Sequence, residues 1–135
     1  MTKDAAALIA RYYDAFNAGD HGAMLALVAP DIAHHVNQGG VREGRAAFAE
    51  FLSHMARCYE ERLEDMVIFA DTGGTRAAAE FTVHGRYLAD DEGLPPARGQ
   101  VYQLPAGAFF TLRGGLITRV ATHYNLADWC RQVGA

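Results

Sequence analysis

Cysteine is scarce in this chain, and positive charge is nowhere concentrated. Cys58 and Cys130 are the only two cysteines in 135 residues. They stand far apart in stretches of helical character, which rules out a disulfide-dense scaffold. A single bridge between them stays open, and buried or half-exposed thiols are the favoured reading. The 12 basic residues form no run and do not interleave with aromatics, and the net charge is −4, so no nucleic-acid partner is expected. No apolar run is long enough to span a membrane, and the opening MTKDAAALIARYYD is charged and amphipathic rather than signal-like. No membrane partner is therefore expected, and the cytoplasm is the expected location. The spacings H-x-H and HExxH are missing, so neither a metal nor another cofactor is expected. Ser53 and Cys58 lack a local base motif, which argues against a nucleophilic enzyme.

Half the residues are hydrophobic and about a fifth are charged, the balance of an ordinary globular chain. Its length suits one domain, taken as residues 1–135. The stretch from Ala10 to Asp31 organises the rest. Ala5, Leu8, Ile9, Tyr12, Ala15 and Phe16 recur at helical spacing, with Thr2 as the expected cap. Tyr12 and Phe16, one turn apart, point the same way. Gly19 stops this helix, Asp20 starts a second, and Pro30 is expected to close it.

A strand is predicted over Ile32–Gln38, a turn at Gly39-Gly40, and a third helix over Arg45–Tyr59. After Glu61 the hydrophobic period falls to two. The strands expected there are Leu63–Ala70, Arg76–Leu88, Gln100–Leu112 and Leu116–Leu126. Turns at residues 71–74 and 113–115 and a polar loop over Ala89–Gly99 separate them. Asp128 is expected to cap a last half-turn through Trp129 and Val133. Three helices followed mainly by antiparallel strands is an α+β order, with helices on one face of a curved sheet and a cavity between.

Ala10–Tyr12, the Gly19-Asp20 break, Ala29-Pro30-Asp31, Gly44-Arg45, Gly115-Leu116-Ile117 and Tyr124 together resemble the nuclear transport factor 2-like superfamily. The likeness is to its ketosteroid-isomerase-like and SnoaL-like branch. A narrower resemblance is to the "ketosteroid isomerase-related" group, a group without an assigned reaction. It rests on Asn37-Gln38-Gly39, EFTVHG at 80–85, GLPPARGQ at 93–100, PAGAFF at 105–110 and YNLADW at 124–129. The resemblance implies a cone-shaped curved sheet, mixed or antiparallel, wrapped around three N-terminal helices in a cystatin-like roll. It also implies a homodimer joined through the outer sheet face, where Glu80, Thr82, His84 and Arg86 alternate outward.

Ketosteroid isomerases move a proton with an Asp base while a Tyr and a protonated Asp stabilise the oxygen. Tyr12 matches that tyrosine. The base position falls within Ala33–Val36: counting forward from Gly19 reaches Val36, and counting back from Gly44 reaches His35. The second acid falls at Gly107 or Ala108 and is missing, so classical steroid isomerisation is expected to be absent or very slow. His34 and His35 lie on opposite faces of a strand, so one should enter the cavity. A neutral imidazole there suits a general base, with His35 favoured over His34. Phe81 and Val83 are expected on the pocket wall, with Phe16, Tyr124 and Tyr102; Leu52 and Met55 close it from the third helix. The function this implies is an isomerase, cyclase or hydrolase acting on a small apolar carbonyl compound. The alternative is a non-catalytic ligand-binding or dimeric interaction module.

Overall fold

The computed structural model describes residues 2–134. The expected cap by the Thr2 side chain lies outside the described residues. In chain order the elements are α1 (Thr2–Ala18), α2 (His21–Ala26), β1 (Val28–His35), β2 (Val41–Glu43), α3 (Arg45–Cys58), β3 (Tyr59–Ala70), β4 (Arg76–Tyr87), β5 (Val101–Arg113), β6 (Leu116–Tyr124) and α4 (Leu126–Gly134). The strands form a six-stranded sheet in the order β2-β1-β6-β5-β4-β3. Among the described residues only β1 and β6 run parallel; the other pairs are antiparallel. The sheet is curved and unclosed, and its inner face packs on α1 and α3, the α+β arrangement expected. Among the described residues no helix is long and apolar enough to cross a membrane.

Several boundaries differ from the sequence expectation for identifiable reasons. Strand β1 starts at Val28 and ends at His35, so Pro30 lies inside it rather than closing α2. Pairing with β6 is irregular between Val28 and Ala33, and β2 pairs only residues 33–35, so the missing Pro30 N–H is not needed by either ladder. Helix α3 passes directly into β3 at Tyr59, whose backbone is already extended at φ −138° and ψ 147°. Residues 59–62 are therefore strand. The short edge strand β2 carries no alternation that the sequence reading could detect. The last half-turn is a full helix, α4, and Asn125 rather than Asp128 caps it by accepting the Asp128 N–H. Asp20 does cap α2, accepting from Ala23.

Side-chain hydrogen bonds fix the helices against the sheet. Asn17, near the end of α1, donates to the Leu63 carbonyl and accepts from the Leu63 N–H, both at 2.9 Å. Arg45, at the start of α3, donates to the Val28 carbonyl at 2.6 Å. These ties set Tyr12, Tyr13 and Phe16 over the concave face.

Strand β3 changes parity half-way. Asp65 sits at a positive φ of 56°, inside a register shift against β4 between Glu64 and Val67. Before the bulge Tyr59, Glu61 and Leu63 turn inward; after it Met66, Ile68 and Ala70 do. Val67 and Phe69 are thereby placed on the convex face, where Val101 and Phe109 of β5 are also exposed. On that same face Phe109 meets His123 edge-on, the ring centroids 5.6 Å apart.

Candidate functional site

A cavity of about 320 Å³ lies between the helices and the concave face of the sheet. Its wall is mostly aromatic and aliphatic. Tyr12 of α1 packs edge-on against Tyr13 and Phe110, and Tyr13 lies tilted against Phe81, at centroid separations of 5.1–5.8 Å. Phe16, Leu52, Met55, Phe81, Val83 and Tyr124 border the space.

Tyr102 does not border it. The β4–β5 register pairs Tyr102 with Gly85, and the Tyr102 ring lies over that glycine so closely that any Cβ there would collide with it. The ring is buried against Trp129, and its hydroxyl donates to the Glu61 carboxylate. Tyr102 therefore stands behind Glu61 and Trp129, which do line the cavity.

Both histidines of β1 border the cavity, so alternation separates them less than expected. His34 shares the inward parity of Ile32 and packs against Phe48 and Phe51 of α3, with centroids 5.3 and 4.4 Å away. It is only 4% exposed, and its Nδ1 is buried without a hydrogen-bond partner among the described residues. His35 meets the cavity where β1 gives way to the turn at residues 36–40. That turn is tied to β6: Asn37 accepts from the Tyr124 N–H at 2.9 Å, and Gln38 donates to the Tyr124 hydroxyl at 3.3 Å.

The titratable groups on the wall are displaced in opposite directions. Burial, aided by the positive charge of Arg42, lowers His34 to about 4. Burial raises Glu61, and the Tyr102 hydrogen bond offsets only part of that shift. Burial also raises Tyr12, which keeps its phenol protonated. The Tyr12 hydroxyl makes no hydrogen bond within the described residues, so it remains available to a ligand as a donor.

Three more polar residues reach the cavity from a direction the sequence reading did not anticipate. Asp91, in the loop after β4, is 2.9 Å from His54 Nε2, and its other oxygen accepts from the Tyr59 hydroxyl at 2.6 Å. Tyr59 and Glu61 were missed because the helix was extended through Tyr59 and the strand begun only at Leu63. An alternation starting at Tyr59 would have turned Tyr59, Glu61 and Leu63 inward together. Cys58 and Cys130 are both free thiols.

The SnoaL-like domain matches residues 9–120. The chain belongs to the SnoaL-like domain family. Its fold is shared with an NTF2-like protein from Burkholderia xenovorans LB400 (18% identity, TM-score 0.77) and a putative ketosteroid isomerase from Kribbella flavida DSM 17836 (22% identity, TM-score 0.68). The SnoaL-like fold here is shared with a putative polyketide cyclase from Silicibacter sp. TM1040, which is 61% identical over 99% of this chain and 98% of that one, with a TM-score of 0.97. A putative polyketide cyclase from Pseudomonas putida KT2440 is 58% identical over 98% of both chains, TM-score 0.95. TerC, crystallised with polyporic acid, shares the fold at 19% identity over 98% of this chain and 99% of that one, TM-score 0.80. No functionally curated protein matches the sequence.

Proposed function

We propose that this SnoaL-like protein is an enzyme of the cyclase or isomerase kind, acting on a small, mostly apolar molecule that carries a carbonyl group. The observation that carries this reading is a pair of polar side chains on one apolar cavity wall, Tyr12 and His34, neither of which makes a hydrogen bond among the described residues. Leaving a buried polar group unpaired costs about 1–3 kcal/mol, which a ligand group bonded to it would recover. Groups pushed apart in pKa within one site divide naturally into acid and base. His34, lowered to about 4, is neutral at physiological pH and accepts a proton from the carbon beside the carbonyl. Glu61, raised by burial, is the group suited to hold and return one, with Tyr102 fixing its orientation. Tyr12 donates a hydrogen bond to the carbonyl oxygen as negative charge collects there. The SnoaL-like relatives described as polyketide cyclases fit this reading, since closing a ring by carbon–carbon bond formation needs the same proton removal and oxygen stabilisation.

The test is exchange of the protons alpha to a carbonyl into deuterated water, followed by NMR with 1-tetralone and related aryl ketones. The wild type is expected to exchange them faster than buffer, and Tyr12→Phe to slow this by about 10²–10³. Wild-type exchange at the buffer rate across such ketones, with one of them bound in the cavity of a crystal, would favour a ligand-binding module without catalysis.

We further infer a homodimer formed through the convex sheet face. Val67, Phe69, Val101 and Phe109 lie there among the polar residues, each 45–65% exposed. Sedimentation should show a dimer at tens of micromolar and a monomer for Phe109→Asp. A monomeric wild type at that concentration would remove the idea, since a standard interface of about 1,600 Å² holds there.

A further inference from the structure

His54 and Cys58 are four residues apart on α3, so they share one helix face. The loop after β4 brings Asp91 to that face. Cys58 Sγ lies 3.9 Å from His54 Nε2, and Asp91 Oδ1 lies 2.9 Å from the same nitrogen. The three ligand atoms are all within 4.8 Å of one another. A tetrahedral zinc ion with bonds of about 2.0–2.3 Å spaces its ligands roughly 3.3–3.8 Å apart. Closing this set on an ion therefore takes shifts of about an ångström or less.

The surroundings hold the ligands in place. Tyr59 occupies the Asp91 oxygen that does not face His54, leaving the other free to coordinate. The Asp91 N–H donates to the Tyr87 hydroxyl at 3.0 Å, and that hydroxyl donates to the Pro95 carbonyl at 2.7 Å. Tyr59 and Tyr87 stack at 5.4 Å. Carboxylate ligands in metal sites commonly rest on outer hydrogen bonds of this sort.

We propose that His54, Cys58 and Asp91 form a mononuclear site for a borderline-soft divalent cation, zinc foremost, with a fourth position open to the cavity. Thiolate, imidazole and carboxylate together select zinc over magnesium or calcium. His54 and Asp91 line the cavity while Cys58 is buried behind them, so the uncovered side of the ion faces the space where a small molecule sits. Without metal, Arg57 Nη2 donates to His54 Nδ1 at 3.2 Å, which leaves the ring proton on Nε2, facing Asp91. Binding moves that proton to Nδ1, frees the exposed Arg57 side chain, and releases the Cys58 thiol proton to solvent. The site differs from the proton-transfer groups proposed above and stands or falls separately. Sequence spacing pointed away from a metal because Asp91 is 33 residues beyond Cys58 in the chain; only the helical His-x-x-x-Cys was visible.

The experiment titrates cobalt(II) into chelator-treated full-length protein and reads the absorption spectrum. The expected result is one cobalt per chain, a near-ultraviolet thiolate-to-cobalt charge-transfer band, and intense visible bands of tetrahedral coordination. Zinc should displace the cobalt. Cys58→Ser should abolish the thiolate band and Cys130→Ser should keep it. His54→Ala and Asp91→Asn should each weaken zinc binding at least tenfold by calorimetry, and Tyr59→Phe by about tenfold. A missing band in the wild type, a band that survives Cys58→Ser, or zinc affinity unchanged in Asp91→Asn would each overturn the site. His54→Ala alters a side chain that is 40% exposed, so zinc affinity unchanged in that variant overturns the site equally should Cys58→Ser not fold.

Discussion

On β1 and α1, His34 and Tyr12 line the cavity without a hydrogen-bond partner among the described residues, whereas on α3 and the loop after β4 the polar atoms are spent on one another. His54 uses both ring nitrogens, on Asp91 and Arg57, and Asp91 uses both oxygens and its N–H. A buried polar atom is normally satisfied, so on the proposed function the unpaired set is where a ligand would complete the protein. The paired set marks where a loop has been clamped to a helix. One side is thus built at some expense in stability, the other for it, and the same substitution chemistry should give opposite readouts on the two sides.

The largest expected difference is in catalysis. His34→Ala should lower alpha-proton exchange by about 10²–10⁴, the usual contribution of a general base, or roughly 3–5 kcal/mol. His35→Ala, at the turn beside the cavity, should stay within about tenfold. The reverse pattern would move the base to His35 and break the contrast on its unpaired side.

The next effect is in stability against pH. The His34 pKa is lowered in the folded state, from 6.5 to about 4. Between those values the unfolded chain binds the proton and the folded one resists it, so stability is full above about pH 6.5 and declines as pH falls toward 4. The displacement corresponds to something on the order of 3 kcal/mol. Urea titrations across that window should show the slope in the wild type and a shallower one in His34→Ala. An acid limb in activity should likewise fall near 4. Carboxylates titrate there too, so loss of the stability slope in the variant identifies the group.

How legible these features were in the sequence depended on how local their causes are. Helices α1 and α3 followed from period alone, because each buries one regular face; alternation separated Phe81 and Val83 from the polar set, and the family resemblance supplied which set turns inward. Glu61 and Tyr59 were hidden by a helix that turns into a strand without a loop, leaving no Gly or Pro to mark the change. Asp91 was hidden because its partners come from elements packed beneath a long loop, a relation no spacing records. Tyr102 was misplaced for a related reason. Its inward parity on β5 was readable, but its cover over Gly85 depends on the β4–β5 register.

A smaller effect tests the paired side. Tyr59→Phe keeps the ring stacked on Tyr87 and deletes one hydrogen bond to a carboxylate. Bonds to charged groups are worth about 1.5–3 kcal/mol, and the half-buried setting points to the lower part of that range. Thermal unfolding should shift down accordingly in metal-free protein. An unchanged melting temperature would mean that the loop is held by its backbone bonds instead.

The smallest expected effect is the same change made on the other side. Tyr12 is 4% exposed, and its ring packs against Tyr13 and Phe110. All of that packing survives in Tyr12→Phe. The hydroxyl has no hydrogen-bond partner among the described residues, so its removal leaves no orphaned group behind and exposes no new surface. Stability should therefore change by less than about 0.5 kcal/mol, the range of substitutions that break no specific interaction. Measured beside Tyr59→Phe in one denaturant series, it holds chemistry constant and varies only whether the hydroxyl is already in use. A loss at Tyr12 as large as at Tyr59 would show that its hydroxyl serves the fold, and the case for it as a donor to substrate would fall with that result.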